Sequence, residues 1–453
     1  MSRQAAALLA AALLLGAAPS PGAQAPAVDM QRVLDMAELE AGYDTIRAEY
    51  YRPASPQRLL DGARVGMVAY LRERGVAEPV VPQGRATGSY GHDLHELDKE
   101  YLGVLVRYGQ SVDAHALIQH ALAGELAALG DPYSRFFSPS EYHAFTSFLR
   151  GRVVGGIGVV VRFTEGRLVV ERVFPQSPAQ RAGLRAGDLV SAIDGAAVAG
   201  MTADAVGDRF HGDVGTTVRL SIVRDGAPLP EPVSVVRAEI HVPDVDGRML
   251  DGGVGYIQLR SYGESAATDL GALVESLRAQ GARALVLDLR DDGGGYENVA
   301  VGVTSKFVAA GPIVTIEDRR GRKTTHRADG SAVQPALPLA VLVNGNTASA
   351  AEITAAAIQD RGAGTIVGER TFGKGLVQQI FPLPDGSAMK LTTQRYLTAN
   401  GRDIDRKGVT PDAAVTENGG ALPGEPGRDA QLDRALGILG AAAPATPSPA
   451  SGG

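Results

Sequence analysis

Two strand-length, largely apolar runs constrain this chain more than any other feature. LVLDL covers 285–289, with Asp288 as its one charge, and LPLAVLV covers 337–343 without a polar residue; neither shows a regular apolar–polar alternation. Such a run fits a strand buried on both faces, which requires layers above and below the sheet. Helical segments precede and follow them: SAATDLGALVESLRAQG at 265–281 and SAAEITAAAIQD at 349–360. Strands that alternate with helices from about Asp246 to Thr416 predict an α/β sheet.

Upstream the texture changes twice. Residues 28–150 read as helical. Ser55-Pro56 supplies N-cap and first-turn chemistry for a helix carrying Leu59, Leu60, Met67 and Leu71, and 112–129 forms another amphipathic helix. Ser138, Pro139 and Glu141 make a capping box ahead of YHAFTSFLR. From 151 to 240 short β-rich runs (VVVRF, LVVERVF, LVSAIDG, TVRLSIVRDG) are separated by turns, with helix signals at SPAQ (177–180) and TADAVGDRF. A core region over 241–437 follows, and 438–453 reads as a disordered tail. At 453 residues there is room for two or three such domains.

Residues 1–25 combine Arg3, a short apolar stretch and Ala23-Gln24-Ala25, the pattern of a secretory signal peptide. The stretch is short of the ~20 residues a bilayer span requires. Pro26 is awkward behind a cleavage site, so an uncleaved anchor stays open. The chain has no cysteine, which removes disulfides, thiolate metal sites and thiol catalysis. With 44 basic against 51 acidic residues and a net charge of −7, no nucleic acid partner is expected.

Three short stretches offer chemistry. In NGNTASAAE (344–352), Ser349 lies at a strand-to-helix junction among small residues, where amides at a helix N-terminus suit a developing oxyanion. The plainer reading makes Ser349 or Thr347 an N-cap, with Glu352 completing a capping box. No histidine stands out as a base: His326 lies in a charged loop, and HDLHE (92–96) lacks the HExxH zinc pattern. FGKGLVQQI (372–380) offers Lys374 between two glycines; a lysine serves as a base if desolvation by residues such as Phe372, Leu376 and Val377 lowers its pKa. It is otherwise a surface lysine in a turn. Gln378 is roughly 13 Å further along a straight strand, so only a bend brings it to the amine. Finally, the buried strand before DDGGG (291–295) ends in charge and three glycines, whose amides can face an anion; it is neither GxxxxGK[ST] nor GxGxxG.

Together these stretches resemble the carboxy-terminal processing peptidases, or tail-specific proteases, over about 35–437. DPYSRFFSP (131–139), GGIGVVV (155–161), SPAQRAGLRAGDLVSAIDG (177–195), VLDLRDDGGG, NGNTASAAEI, GERTFGKGLVQ and YLTANGRDIDRKGVTPD (396–412) occur in the family's order. Ser349, Lys374 and Gln378 stand at its spacing of 25 and then four residues. Gly293 occupies the position where the family carries proline. The resemblance implies a helical N-terminal region, a PDZ-like β-rich module and an α/β, crotonase-like protease core. It implies Ser349 as nucleophile, Lys374 as general base, Gln378 as the residue orienting the lysine, and Gly294 and Ala350 as oxyanion donors. Gly156, Ile157 and Gly158 match the PDZ loop that holds a peptide's terminal carboxylate. The expected substrates are proteins or peptides with a free C-terminus, without cofactor or metal, in a bacterial periplasm or cell envelope. A homo-oligomer and an activating partner stay open. Two other readings are a catalytically silent PDZ scaffold of the same fold, and acyl transfer on a small thioester.

Overall fold

The computed structural model describes residues 30–442 apart from 110, 150–151, 165–166, 175, 200, 202, 243, 333–335 and 417–423. The expected signal segment lies outside them. The chain forms two compact units, one holding residues up to 48 and 54–136, the other 49–53 and 137 onward. The helical region expected to run to 150 is thus divided, its last helix, Pro139–Leu149, belonging to the second unit.

The first unit consists of helices Met30–Glu49, Pro56–Glu73, Tyr90–Tyr108 and Ala114–Ala128. Leu59, Leu60, Ala63, Met67 and Leu71 form the buried stripe of the second helix. Gly62, Gly66 and Gly124 allow it to approach the fourth closely: a Cβ on Gly66 would collide with the His120 carbonyl. Helix Ala114–Ala128 starts under Asp113, whose Oδ1 accepts the Ala116 N–H at 2.8 Å. HDLHE lies on the third helix, where the buried Asp93 accepts the Thr87 N–H and His92 bonds the Arg85 carbonyl.

In the second unit, strands Val159–Thr164, Arg167–Val173, Leu189–Ile193, Thr217–Arg224 and Ala227–Pro228 lie in that order, with Ala196–Ala197 and Val233–Val236 paired at the side. Val218, Leu220 and Ile222 alternate into its core with Leu168, Val170 and Val190. The helix starts marked at Ser138 and at SPAQ both form, the first as a full capping box and the second in part. Ser138 and Glu141 exchange backbone N–H bonds at 2.9 and 3.3 Å. Ser177 Oγ accepts the Gln180 N–H, while the Gln180 side chain takes the Gln176 N–H instead.

The core is a six-stranded sheet in the order Val245–Leu250, Val254–Leu259, Ala284–Asp288, Leu339–Val343, Thr365–Gly368, Ala413–Ala414. Its first pair is antiparallel and the rest parallel. All five residues of Ala284–Asp288 and of Leu339–Val343 are buried, as their apolar runs predict. One face packs Leu285, Leu287, Val341 and Val343 against helices Ala266–Ala279, Glu297–Ser305 and Ala350–Arg361. The other packs Val286, Ala340 and Leu342 against Leu432, Ala435 and Leu439 of the helix Ala430–Ala442. The tail boundary expected at 438 therefore falls inside a helix; the low-complexity composition hid the buried Leu439. Among the described residues no helix is long and apolar enough to cross a membrane.

Candidate active site

The charged end of the strand Ala284–Asp288 has a structural task. Arg290 donates to both Asp288 and Asp429, with N–O distances of 2.6 and 2.7 Å through Nη2, and all three are almost fully buried. The Tyr256 hydroxyl adds a 2.6 Å bond to Asp288. Burial alone would raise the Asp429 carboxyl; the Arg290 guanidinium and the Leu432 and Gly424 amides more than reverse this and hold it below its ordinary range. This cluster fastens the C-terminal helix to the sheet.

Past it the chain turns through DDGGG and faces the NGNTASAAE stretch. Asp292 O accepts the Ala348 N–H at 2.9 Å. Asn344 and Asn346 both donate from their side chains to Asp291 Oδ1, at 2.9 and 2.8 Å. The asparagines thus contribute side-chain ties. The unusual backbone belongs to Ser349 itself, at φ 58°, ψ −118°. For a residue with a Cβ this conformation is costly and persists only where the surroundings enforce it. Here Ser349 C=O accepts the Ile353 N–H at 3.0 Å and the Tyr396 hydroxyl at 3.2 Å, while Ser349 N–H donates to Glu352 Oε2 at 2.9 Å. Ser349 is the N-cap of helix Ala350–Arg361, as the plainer reading had it, and Ala350 is the first helical residue. The Ala350 N–H therefore has no intrahelical acceptor.

Glu352 does more than cap. Fully buried, it accepts the Thr371 hydroxyl and the Gly373 N–H (2.7 Å) on Oε1, and on Oε2 the Lys374 N–H (2.8 Å) beside that of Ser349. A single carboxylate thus holds the serine turn and the lysine turn together. The Phe372 N–H adds a bond to Thr347 O at 3.0 Å. The two glycines around Lys374 are required by packing: a Cβ on Gly373 would stand 2.9 Å from the Lys407 and Gly408 nitrogens, and one on Gly375 would stand 2.7 Å from Asp405 N. Lys374 is half-buried and Leu376 buried, but Phe372, expected to help desolvate the lysine, is 54% exposed. Gln378 lies at a register shift in strand Leu376–Pro382 and gives its amide N–H to Thr392 Oγ1 at 3.3 Å.

Gly294, at φ +94°, is pressed against the serine: a Cβ there would be 2.8 Å from Ala350 N and 2.9 Å from Ser349 Cβ. Its own N–H donates to Asp292 Oδ1 at 2.8 Å. Gly156 ends strand Arg152–Gly156, Ile157 is buried with its carbonyl accepting the Ala179 N–H, and Gly158 (φ +78°) leaves no room for a Cβ beside Ser177. Thr371, Tyr396 and Asp292 were not singled out by sequence. The only signal for Glu352 was its capping-box spacing.

Residues 253–415 match the model of peptidase family S41 and residues 169–224 match that of the PDZ domain. The chain is 35% identical to the chloroplastic C-terminal processing peptidase of Tetradesmus obliquus over 323 residues, 68% of this chain and 69% of the relative. It is 35% identical to the carboxy-terminal-processing protease of Bartonella bacilliformis (69% and 73% covered), and 33% identical to carboxy-terminal processing protease CtpA of Bacillus subtilis (72% and 70%). A solved Bacteroides fragilis structure described as an S41 protease shares the fold, with TM-score 0.51, 16% identity, and 93% of this chain and 100% of that one covered. These matches define a serine-type peptidase that carries a PDZ domain. The chain belongs to the carboxy-terminal processing protease family.

Proposed function

We propose that this peptidase is an exported endopeptidase that cleaves proteins near their C-termini through an acyl-enzyme on Ser349. In this reading 151–240 is the PDZ domain, 241–437 the protease core, and 1–25 an export signal. The observation that carries it is the Glu352 carboxylate, whose Oε2 takes the N–H of Ser349 and of Lys374 at 2.9 and 2.8 Å, so the two turns move as one body. Lys374, as the neutral amine, removes the serine proton while Oγ attacks the peptide carbonyl carbon. The negative oxygen is held by the Ala350 N–H, at the positive end of a helix, and by the Gly294 N–H once Asp292 releases it. The ammonium returns its proton to the departing amine. Water, activated by the same lysine, then splits the ester and frees the new C-terminus. Gln378 orients the lysine after giving up its bond to Thr392.

Gly156, Ile157 and Gly158 hold the substrate's terminal carboxylate while the preceding residues add to a sheet edge. The test uses peptides identical except for a free or amidated C-terminus. Faster turnover of the free acid is expected, and equal turnover removes the PDZ role. Ser349→Ala and Lys374→Ala are each expected to abolish cleavage with unchanged circular dichroism; an active lysine variant means another base.

A further inference from the structure

Asp292 is the acid of the glycine turn for which this mechanism has no use. Its side chain is fully buried, Oδ1 accepts the Gly294 N–H at 2.8 Å, and Oδ2 has no hydrogen-bond partner among the described residues. Its backbone oxygen holds the Ala348 N–H, next to the serine. Thus one carboxyl oxygen occupies the very amide that the oxyanion would need, while the Gly294 α-carbon packs against Ser349 and Ala350.

We propose that Asp292 is a positioning residue that gates the oxyanion site: its Oδ1 keeps the Gly294 N–H while the site is empty, and the site opens when that carboxyl is protonated. This rests on the reading of Ser349 and Gly294 given above. An ionised acceptor holds an N–H about twice as strongly as a neutral one. A carboxylate this close also opposes a second negative charge on the substrate oxygen. With the proton on, the bond weakens and the charged oxyanion outcompetes the neutral acid for the amide. Burial pushes the Asp292 carboxyl well up, the Gly294 N–H pulls it back in part, and the Asp244 carboxylate pushes it up again. Asp244 precedes strand Val245–Leu250. Among the described residues the Tyr262 hydroxyl, just past strand Val254–Leu259, also interacts with Asp292; its pKa is raised first by its own burial and then by Asp292. From the serine turn the Ala348 N–H donates to the Asp292 backbone oxygen.

The experiment compares kcat/KM of the full chain and of Asp292→Asn across about pH 5 to 9 on one peptide with a free C-terminus. Asparagine keeps an oxygen for the Gly294 N–H and cannot ionise. The ratio of variant to wild type is expected to rise with pH, approaching tenfold per unit above the Asp292 pKa. A ratio that is flat or falls with pH overturns the gate. Should Asp292→Asn fail to fold, Asp292→Ser, whose hydroxyl can accept the same N–H, takes its place with the same two outcomes. Ser349→Ala separates the failures: if it is inactive while the ratio is flat, only the gate is lost; if it is active, the serine reading falls first.

Discussion

Replacing Glu352 by glutamine tests whether one buried carboxylate assembles the site. Four donors converge on it, two per oxygen: the Thr371 hydroxyl with the Gly373 N–H, and the Ser349 N–H with the Lys374 N–H. Glutamine has one acceptor oxygen, so whichever way its amide turns, two buried donors face an NH2 group. Each unsatisfied donor costs roughly 1–3 kcal/mol, and the two surviving bonds lose their charge assistance, for a total on the order of 4 kcal/mol. Both halves of the site hang on these bonds, so the cost divides between stability and alignment. If half goes into alignment, kcat/KM falls about thirtyfold. Urea denaturation reads the stability share, steady-state cleavage the rest, and hydrogen exchange of 371–374 shows whether the lysine turn has come loose. A Glu352→Gln enzyme with wild-type midpoint, rate and exchange would refute the argument, since no arrangement of an amide satisfies four donors.

Gly375→Ala isolates sterics: its Cβ would lie 2.7 Å from Asp405 N and 2.9 Å from Asp405 Cα, both unyielding backbone. A loss of about 1–3 kcal/mol in urea denaturation is expected, with a matching fall in turnover. Arg290→Met leaves Asp288 and Asp429 buried without their cation, and a destabilisation of about 3–5 kcal/mol is expected from the same measurement. The helical unit should respond to pH with the opposite sign from most proteins. Burial raises Glu100 from 4.5 to about 7, against the pull of the Gly84 N–H and Arg64, and Glu125 behind it is raised further by burial and by Glu100. The folded state then binds more protons than the unfolded one, so stability is greatest below about pH 4.5 and declines as pH rises toward 7. The Glu100 share is at most about 3 kcal/mol. Glu100→Gln should flatten that slope in thermal melts taken at a series of pH values; an unchanged slope assigns it to other groups.

What the sequence revealed and what it hid divide along the range of the interactions. A strand covered on both faces is apolar nearly throughout, so Leu339–Val343 and Ala284–Asp288 up to its final acid are legible one residue at a time. Capping is equally local, and Ser138, Ser177 and Ser349 all sit where the spacing of polar residues puts them. By contrast the charge at Asp288 and Arg290 had no visible task in the sequence, because their partner Asp429 lies 139 residues from Arg290. The glycines around Lys374 read as a turn, and what they pack against, the chain at 405–408, left no local trace. Glu352 was visible as a cap but not as a clamp, since three of its four donors come from 19 to 22 residues further on. The same reasoning explains why Ser349 and Lys374 were each weak alone and persuasive together. A strained serine and a glycine-bound lysine are stable only if something buried ties them, and a tie between distant segments leaves a trace in sequence only as the joint occurrence of its ends.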